Sequence, residues 1–100
     1  MKRRLTSQII IAQLEKHKIE LKRYGVMKIG LFGSFAKGND RKKSDLDFLV
    51  SLKHETFDNY IELKFFLEDL FGKDVDLIIE SNLKAGLEYV KEDAIYAETV

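Results

Sequence analysis

Gly33-Ser34, ten residues, then Asp45-Leu46-Asp47, then a further carboxylate at Asp76 make up the constellation in this sequence with clear chemical use. Side chains two apart on a strand share a face, so Asp45 and Asp47 project together, roughly 6–7 Å apart along the backbone. Carboxylates held in that way repel one another unless a cation sits between them. A hard, oxygen-seeking divalent ion such as Mg²⁺ is the usual answer. If the strand bearing Asp76 lies beside the one bearing Asp47, three carboxylates form a cluster able to hold two ions. Such a pair suits in-line attack on phosphorus, one ion activating the attacking hydroxyl and the other stabilising the departing pyrophosphate.

Gly33-Ser34 meets the remaining need. Glycine at a strand end permits close backbone approach, and the N–H groups there, with the serine hydroxyl, are able to hold phosphate oxygens. The basic loop containing Lys37, Arg41, Lys42 and Lys43 would neutralise triphosphate charge. Each motif taken alone is weak: Asp-X-Asp is most often a solvated pair, Gly-Ser an ordinary turn, and a three-residue basic run a solvated loop. Their conjunction carries the reading. Asp74 alternates with Asp76, so spacing alone allows either to face the cluster. Neither Gly-x-Gly-x-x-Gly nor Gly-Lys-Ser/Thr occurs, which removes the dinucleotide-binding and P-loop fingerprints. His17 and His54 read as surface or boundary residues rather than ligands.

The elements that must position these residues follow from periodicity. Ile10, Leu14, His17, Leu21 and Tyr24 recur at helical spacing, so a helix is predicted over Ser7–Tyr24, stopped by Lys22, Arg23 and Gly25. Val26–Phe32 reads as a first strand and Asp45–Leu52 as a second, joined by a dozen or so residues with at most one helical turn. Thr56 is the predicted N-cap of a helix ending at Phe71 and Gly72. Asp74–Ile79 is a third strand, and a last helix is predicted from about Asn82, with Leu83, Leu87, Val90 and Ala94 on one face. The order α-β-(loop)-β-α-β-α predicts an α/β (α+β) sandwich, a small mixed sheet of about three strands flanked by helices.

Composition excludes other classes. The 100 residues contain no Cys, Pro or Trp, so a disulfide framework and a Cys-based zinc site are ruled out. No apolar run approaches the ~18 residues of a membrane span, and the Met1–Leu5 stretch lacks the apolar segment of a signal peptide, so no membrane association and a cytoplasmic location are expected. Seventeen basic residues balance seventeen acidic ones, which argues against generic nucleic-acid binding through bulk charge, and no direct sequence-specific nucleic-acid binding is expected. Residues 1–50 carry twelve Lys/Arg against five Asp/Glu, and residues 51–100 carry five against twelve, so the halves differ by sign. Mutual compensation between the halves is the simpler reading of that asymmetry. Residues 1–100 are expected to form one domain, which leaves no room for an extra helical domain to hold an acceptor.

Gly-Leu-Phe-Gly-Ser-Phe-Ala-Lys-Gly (30–38) followed by Lys-Ser-Asp-Leu-Asp-Phe-Leu-Val (43–50) resembles the signature of the DNA polymerase beta superfamily of nucleotidyltransferases, and more closely the prokaryotic minimal nucleotidyltransferase (MNT) domains. The resemblance covers most of the chain and implies the nucleotidyltransferase fold, with residues 1–100 as a single domain. It implies Gly33 and Ser34 as the triphosphate-binding pair, with Lys37, Lys43 and Ser44 in the nucleotide site. It implies Asp45 and Asp47 as the two main metal ligands and Asp76, rather than Asp74, as the third catalytic carboxylate, with two Mg²⁺ ions as cofactor and ATP as substrate. Lys37 departs from the arginine common in the family; it keeps the charge but loses the bidentate fork. The implied partner is a HEPN-domain toxin, AMP being moved from ATP to one of its tyrosines so that the protein acts as an antitoxin. The rival readings are an antitoxin that neutralises by binding alone, and nucleotidyl transfer to a small molecule such as an aminoglycoside.

Overall fold

The computed structural model describes residues 5–41 and 43–99; the N-terminal charges at residues 2–4 and Lys42 of the basic loop lie outside the described residues. Helix α1 spans Ser7–Lys16, its first turn closed by Thr6 Oγ1 accepting from the Ile9 N–H at 3.2 Å. The single helix expected to Tyr24 is broken at His17, and α2 covers Lys18–Arg23. His17 Nδ1 bonds the Gln13 carbonyl at 2.8 Å, and its backbone N–H is shared between the Gln13 and Leu14 carbonyls, so φ and ψ there leave helical values. Side-chain competition for an i−4 carbonyl bends or breaks a helix in this way.

Strand β1 (Val26–Phe32) leads into a short helix α3 (Gly33–Lys37), the one turn that the sequence allows in this connection. Strand β2 (Leu46–Leu52) is followed by α4 (Phe57–Phe71), capped by Thr56 Oγ1 on the Asn59 N–H at 3.1 Å and ended by Gly72 in left-handed conformation. Strand β3 (Val75–Ile79), a 3₁₀ turn (Glu80–Asn82), α5 (Tyr89–Asp93) and β4 (Ile95–Tyr96) complete the chain. The mixed sheet has the order β3-β2-β1-β4, with β2 and β3 parallel and the other two pairs antiparallel. This is the α+β sandwich that the sequence predicts, with one more strand.

The end of the chain differs from expectation. The helix foreseen from Asn82 forms only over Tyr89–Asp93, because Gly86 takes φ +92° in the middle of it, and Leu87 is left 39 % exposed. Ile95 and Tyr96 then join the sheet beside β1, where the Tyr96 ring lies over Gly30. A Cβ at Gly30 would sit 2.8–2.9 Å from that ring, so the edge strand docks only because residue 30 has no side chain. Helices α1, α2 and α4 pack on one face of the sheet, where Ile10, Leu14, Leu21, Leu63 and Leu67 meet Ile29, Leu31, Phe48, Val50 and Leu77. Each such buried side chain contributes about 1.5–3 kcal/mol of transfer free energy. No helix among the described residues is long and apolar enough to cross a membrane.

Candidate active site

Strand pairing brings the predicted carboxylates together from three directions. In the antiparallel ladder Phe32 pairs with Asp47, and the chain leaves β1 at the next residue, Gly33, to start α3. In the parallel ladder Asp47 pairs with Asp76. Asp47 thus lies between the glycine turn on one side and Asp76 on the other. Asp45 stands just before β2, two residues upstream and on the same face by strand alternation.

Gly33 and Asp47 fit against each other. A Cβ built at residue 33 would overlap the Asp47 carboxylate and lie 3.0 Å from its Cγ, and Gly33 has φ +77°, a conformation that side-chain-bearing residues rarely adopt. The close approach leaves Asp47 half-buried while Asp45 and Asp76 are exposed. Burial first, then the negative charges of Asp76 and Asp45, push the Asp47 carboxyl up to about 6. Burial disfavours the charged form and like charges disfavour it further, so Asp47 carries the electrostatic cost of the cluster.

Asp76, not Asp74, is the third member. Asp74 precedes β3, where its carbonyl accepts the Leu46 N–H at 3.0 Å, and it lines a cleft on the side of Asp45 away from Gly33. Among the described residues, no three His, Cys, Asp or Glu side chains converge tightly enough to close a metal cage as they stand. The chemistry of the donor set nevertheless fits a hard divalent cation: three carboxylates, no soft ligand, and an Asp47 whose destabilised charge such an ion would relieve.

The other predicted residues fall into two groups. Ser34 is the second residue of α3, half-buried beside Gly33, and its hydroxyl makes no hydrogen bond among the described residues. Lys37 ends the same helix, exposed, before Gly38 turns the chain at φ +73°. Lys43 and Ser44 stand on the far side of Asp45: with it, Glu68, Asp69 and Lys73 they line a cleft of about 620 Å³ that includes neither Gly33 nor Asp47. The Ser44 hydroxyl already accepts the Arg41 N–H at 2.7 Å, and the Ser44 N–H returns a bond to the Arg41 carbonyl, which closes the basic loop on itself.

Three side chains that sequence reading did not single out support the site. Lys73 Nζ donates to the Ser44 carbonyl at 3.4 Å and stands 5.6 Å over the Phe35 ring, linking the entry to β2 with α3. Tyr60 and Glu68 of α4 hydrogen-bond the backbone of β3 on either side of Asp76. No local pattern signals these contacts, since each joins residues brought near only by the fold. The histidines behave as surface or boundary residues: His54 is exposed, and His17 is engaged with the Gln13 carbonyl and edge-on to Phe66.

A small mixed sheet with a glycine-led turn set against coupled carboxylates at neighbouring strands has the architecture of a nucleotide-transferring α+β domain. Residues 14–97 match the nucleotidyltransferase domain family, and the chain belongs to it. It is 42 % identical over 85 residues to the protein adenylyltransferase MntA of Thermococcus cleftensis, which covers 83 % of this chain and 86 % of that one. A solved structure described as a minimal nucleotidyltransferase superposes with a TM-score of 0.80 at 33 % identity, covering 94 % of this chain and 98 % of that chain. The fold is shared as well with a complex of tri-AMPylated Shewanella oneidensis HEPN toxin and MNT antitoxin, at a TM-score of 0.54 and 22 % identity over 79 % of this chain and 60 % of that one.

Proposed function

We propose that this chain is a Mg²⁺-dependent protein adenylyltransferase that moves AMP from ATP to a tyrosine hydroxyl of a HEPN-domain toxin and so acts as its antitoxin, with residues 1–100 as one minimal domain. The observation that carries the reading is the placement of Asp47 between Gly33 and Asp76, with Asp45 coupled to it through charge. Likeness to MntA supports protein as the acceptor, and the shared fold with the Shewanella oneidensis pair supports a HEPN toxin as that protein.

In the proposed reaction the tyrosine oxygen attacks the α-phosphorus of ATP. A new oxygen–phosphorus bond forms, the bond from that phosphorus to the bridging oxygen breaks, and pyrophosphate leaves. Asp76, exposed on β3, takes the phenolic proton. Gly33 and Ser34 hold the triphosphate where α3 begins, their N–H groups having no intrahelical partner. Lys37 and Lys43 contribute positive charge toward the phosphates. Mg²⁺, held by Asp45, Asp47 and Asp76, would supply charge neutralisation at the phosphates and a lowered pKa for the attacking hydroxyl.

The test is incubation of the purified protein with ATP labelled at the α-phosphate, Mg²⁺ and the HEPN protein encoded beside it. Label on a tyrosine of that protein is expected. Tight binding without label would replace the reading with neutralisation by occlusion.

A further inference from the structure

Strand β3 forms one edge of the sheet, and edge strands leave alternate backbone groups without a ladder partner. The Asp74 carbonyl accepts from β2, so the even-numbered residues of this segment turn their backbone inward and the odd-numbered ones turn theirs outward. Two outward groups flank Asp76 in the chain, the Val75 N–H and the Leu77 carbonyl. Both are taken by side chains of α4. The Val75 N–H donates to Glu68 Oε2 at 3.0 Å, and the Tyr60 hydroxyl donates to the Leu77 carbonyl at 2.8 Å.

The Asp76 carboxylate is exposed and has no hydrogen bond of its own among the described residues. Its position relative to Asp47 is therefore set by the backbone that carries it. That backbone is held on its inner side by the ladder to β2 and on its outer side by these two bonds, one residue before Asp76 and one after. We propose that Tyr60 and Glu68 are positioning residues, a clamp from α4 that holds Asp76 in register opposite Asp47. The proposal rests on the reading of Asp76 as the group that activates the acceptor. It separates Asp76, whose setting depends on α4, from Gly33 and Ser34, whose setting depends on β1 and α3.

That separation gives the clamp a kinetic signature. Losing either bond behind Asp76, the neutral one from Tyr60 or the one to the Glu68 carboxylate, should slow the chemical step by about three- to tenfold. The change in the KM for ATP should be smaller, because Gly33 and Ser34 grip the triphosphate on the other side of Asp47. Tyr60→Phe removes the hydroxyl and keeps the ring. Glu68→Leu removes the acceptor, whereas Glu68→Gln keeps an oxygen able to accept the Val75 N–H. The expected pattern is a lowered kcat in Tyr60→Phe and Glu68→Leu, recovery to near wild type in Glu68→Gln, and faster amide exchange at Asp76 and Ile78 in the first two variants only. Wild-type kcat in both, with only the melting temperature lowered, would overturn the clamp and leave plain edge protection. So would equal damage in Glu68→Gln and Glu68→Leu. If the wild-type protein transfers no nucleotide, the proposed activity fails, and the clamp is then decided by exchange alone: accelerated exchange at Asp76 in the Tyr60→Phe/Glu68→Leu double variant supports it, and unchanged exchange overturns it.

Discussion

The two faces of the same strands do opposite work. On the face under α1, α2 and α4, residues Leu46, Phe48 and Val50 of β2 are fully buried among apolar neighbours. On the other face, one residue along, Asp47 is held half-buried against Gly33 and between two further carboxylates, its charged form disfavoured. A strand's period of two allows this arrangement, since the backbone secured by one face presents unrelieved charge on the other. The comparison teaches that the site need not be stable in itself. It is carried by strands whose opposite face is buried in the core, and a bound cation would remove the cost.

The contrast is broken most sharply by Asp47→Asn, which should reduce nucleotide transfer by at least about a thousandfold, with far-UV circular dichroism unchanged. The opposite face predicts the opposite division of effects. Leu63→Ala, which truncates a fully buried side chain of α4, should cost about 2–5 kcal/mol of stability by chemical denaturation, while the folded fraction transfers nucleotide at the wild-type rate in the cold. A large stability loss for Asp47→Asn, or a direct kinetic defect for Leu63→Ala, would erase the distinction between the faces.

Smaller effects sharpen it. Ser34→Ala deletes a hydroxyl proposed to bond a charged phosphate oxygen, a bond of about 1.5–3 kcal/mol, so transfer should fall roughly tenfold to a hundredfold. An effect on melting temperature alone would make Ser34 a turn residue. The smallest expected effect is on pH dependence without metal. In the unfolded chain Asp47 loses its proton near 3.8, whereas in the fold it keeps it to about 6. The folded state binds the extra proton between these values, so this group's contribution to stability is most favourable below about pH 4, declines as pH rises toward 6 and is level above. Urea denaturation in EDTA across that range should show the decline in wild type and not in Asp47→Asn.

Much of this was legible in the sequence because it is local. Three strands, the helix closed by Thr56 and Gly72, and the shared face of Asp45 and Asp47 follow from periodicities and caps that lie within each segment. The choice of Asp76 over Asp74 did not follow from spacing, since both alternate correctly; it needed the family resemblance, and the ladder that pairs Asp47 with Asp76 agrees with it. Other features depend on partners far along the chain. Strand β4 is two residues long and exists because Gly30 leaves room for Tyr96, and the bonds from Tyr60 and Glu68 to β3 form only once α4 packs alongside. The break at His17 comes from a side chain that hydrophobic periodicity counts merely as a helical position. The resemblance implies Lys43 and Ser44 in the nucleotide site, but sequence alone does not show that the folded loop sets them in a cleft with Asp45 and Asp74.

The central claim is that Asp47 carries a strain that metal and nucleotide relieve, and four thermal melts at pH 7.5 test it: wild type and Asp47→Asn, each in EDTA and each with Mg²⁺ and ATP. In EDTA the variant should melt higher than wild type, because it removes a half-buried charge that burial, Asp76 and Asp45 all oppose. With Mg²⁺ and ATP the wild type should gain stability as RT ln(1 + [L]/Kd) for a ligand bound only by the native state, and the variant should gain far less. A variant that melts below wild type in EDTA, or an equal gain in both proteins on adding Mg²⁺ and ATP, would contradict the account.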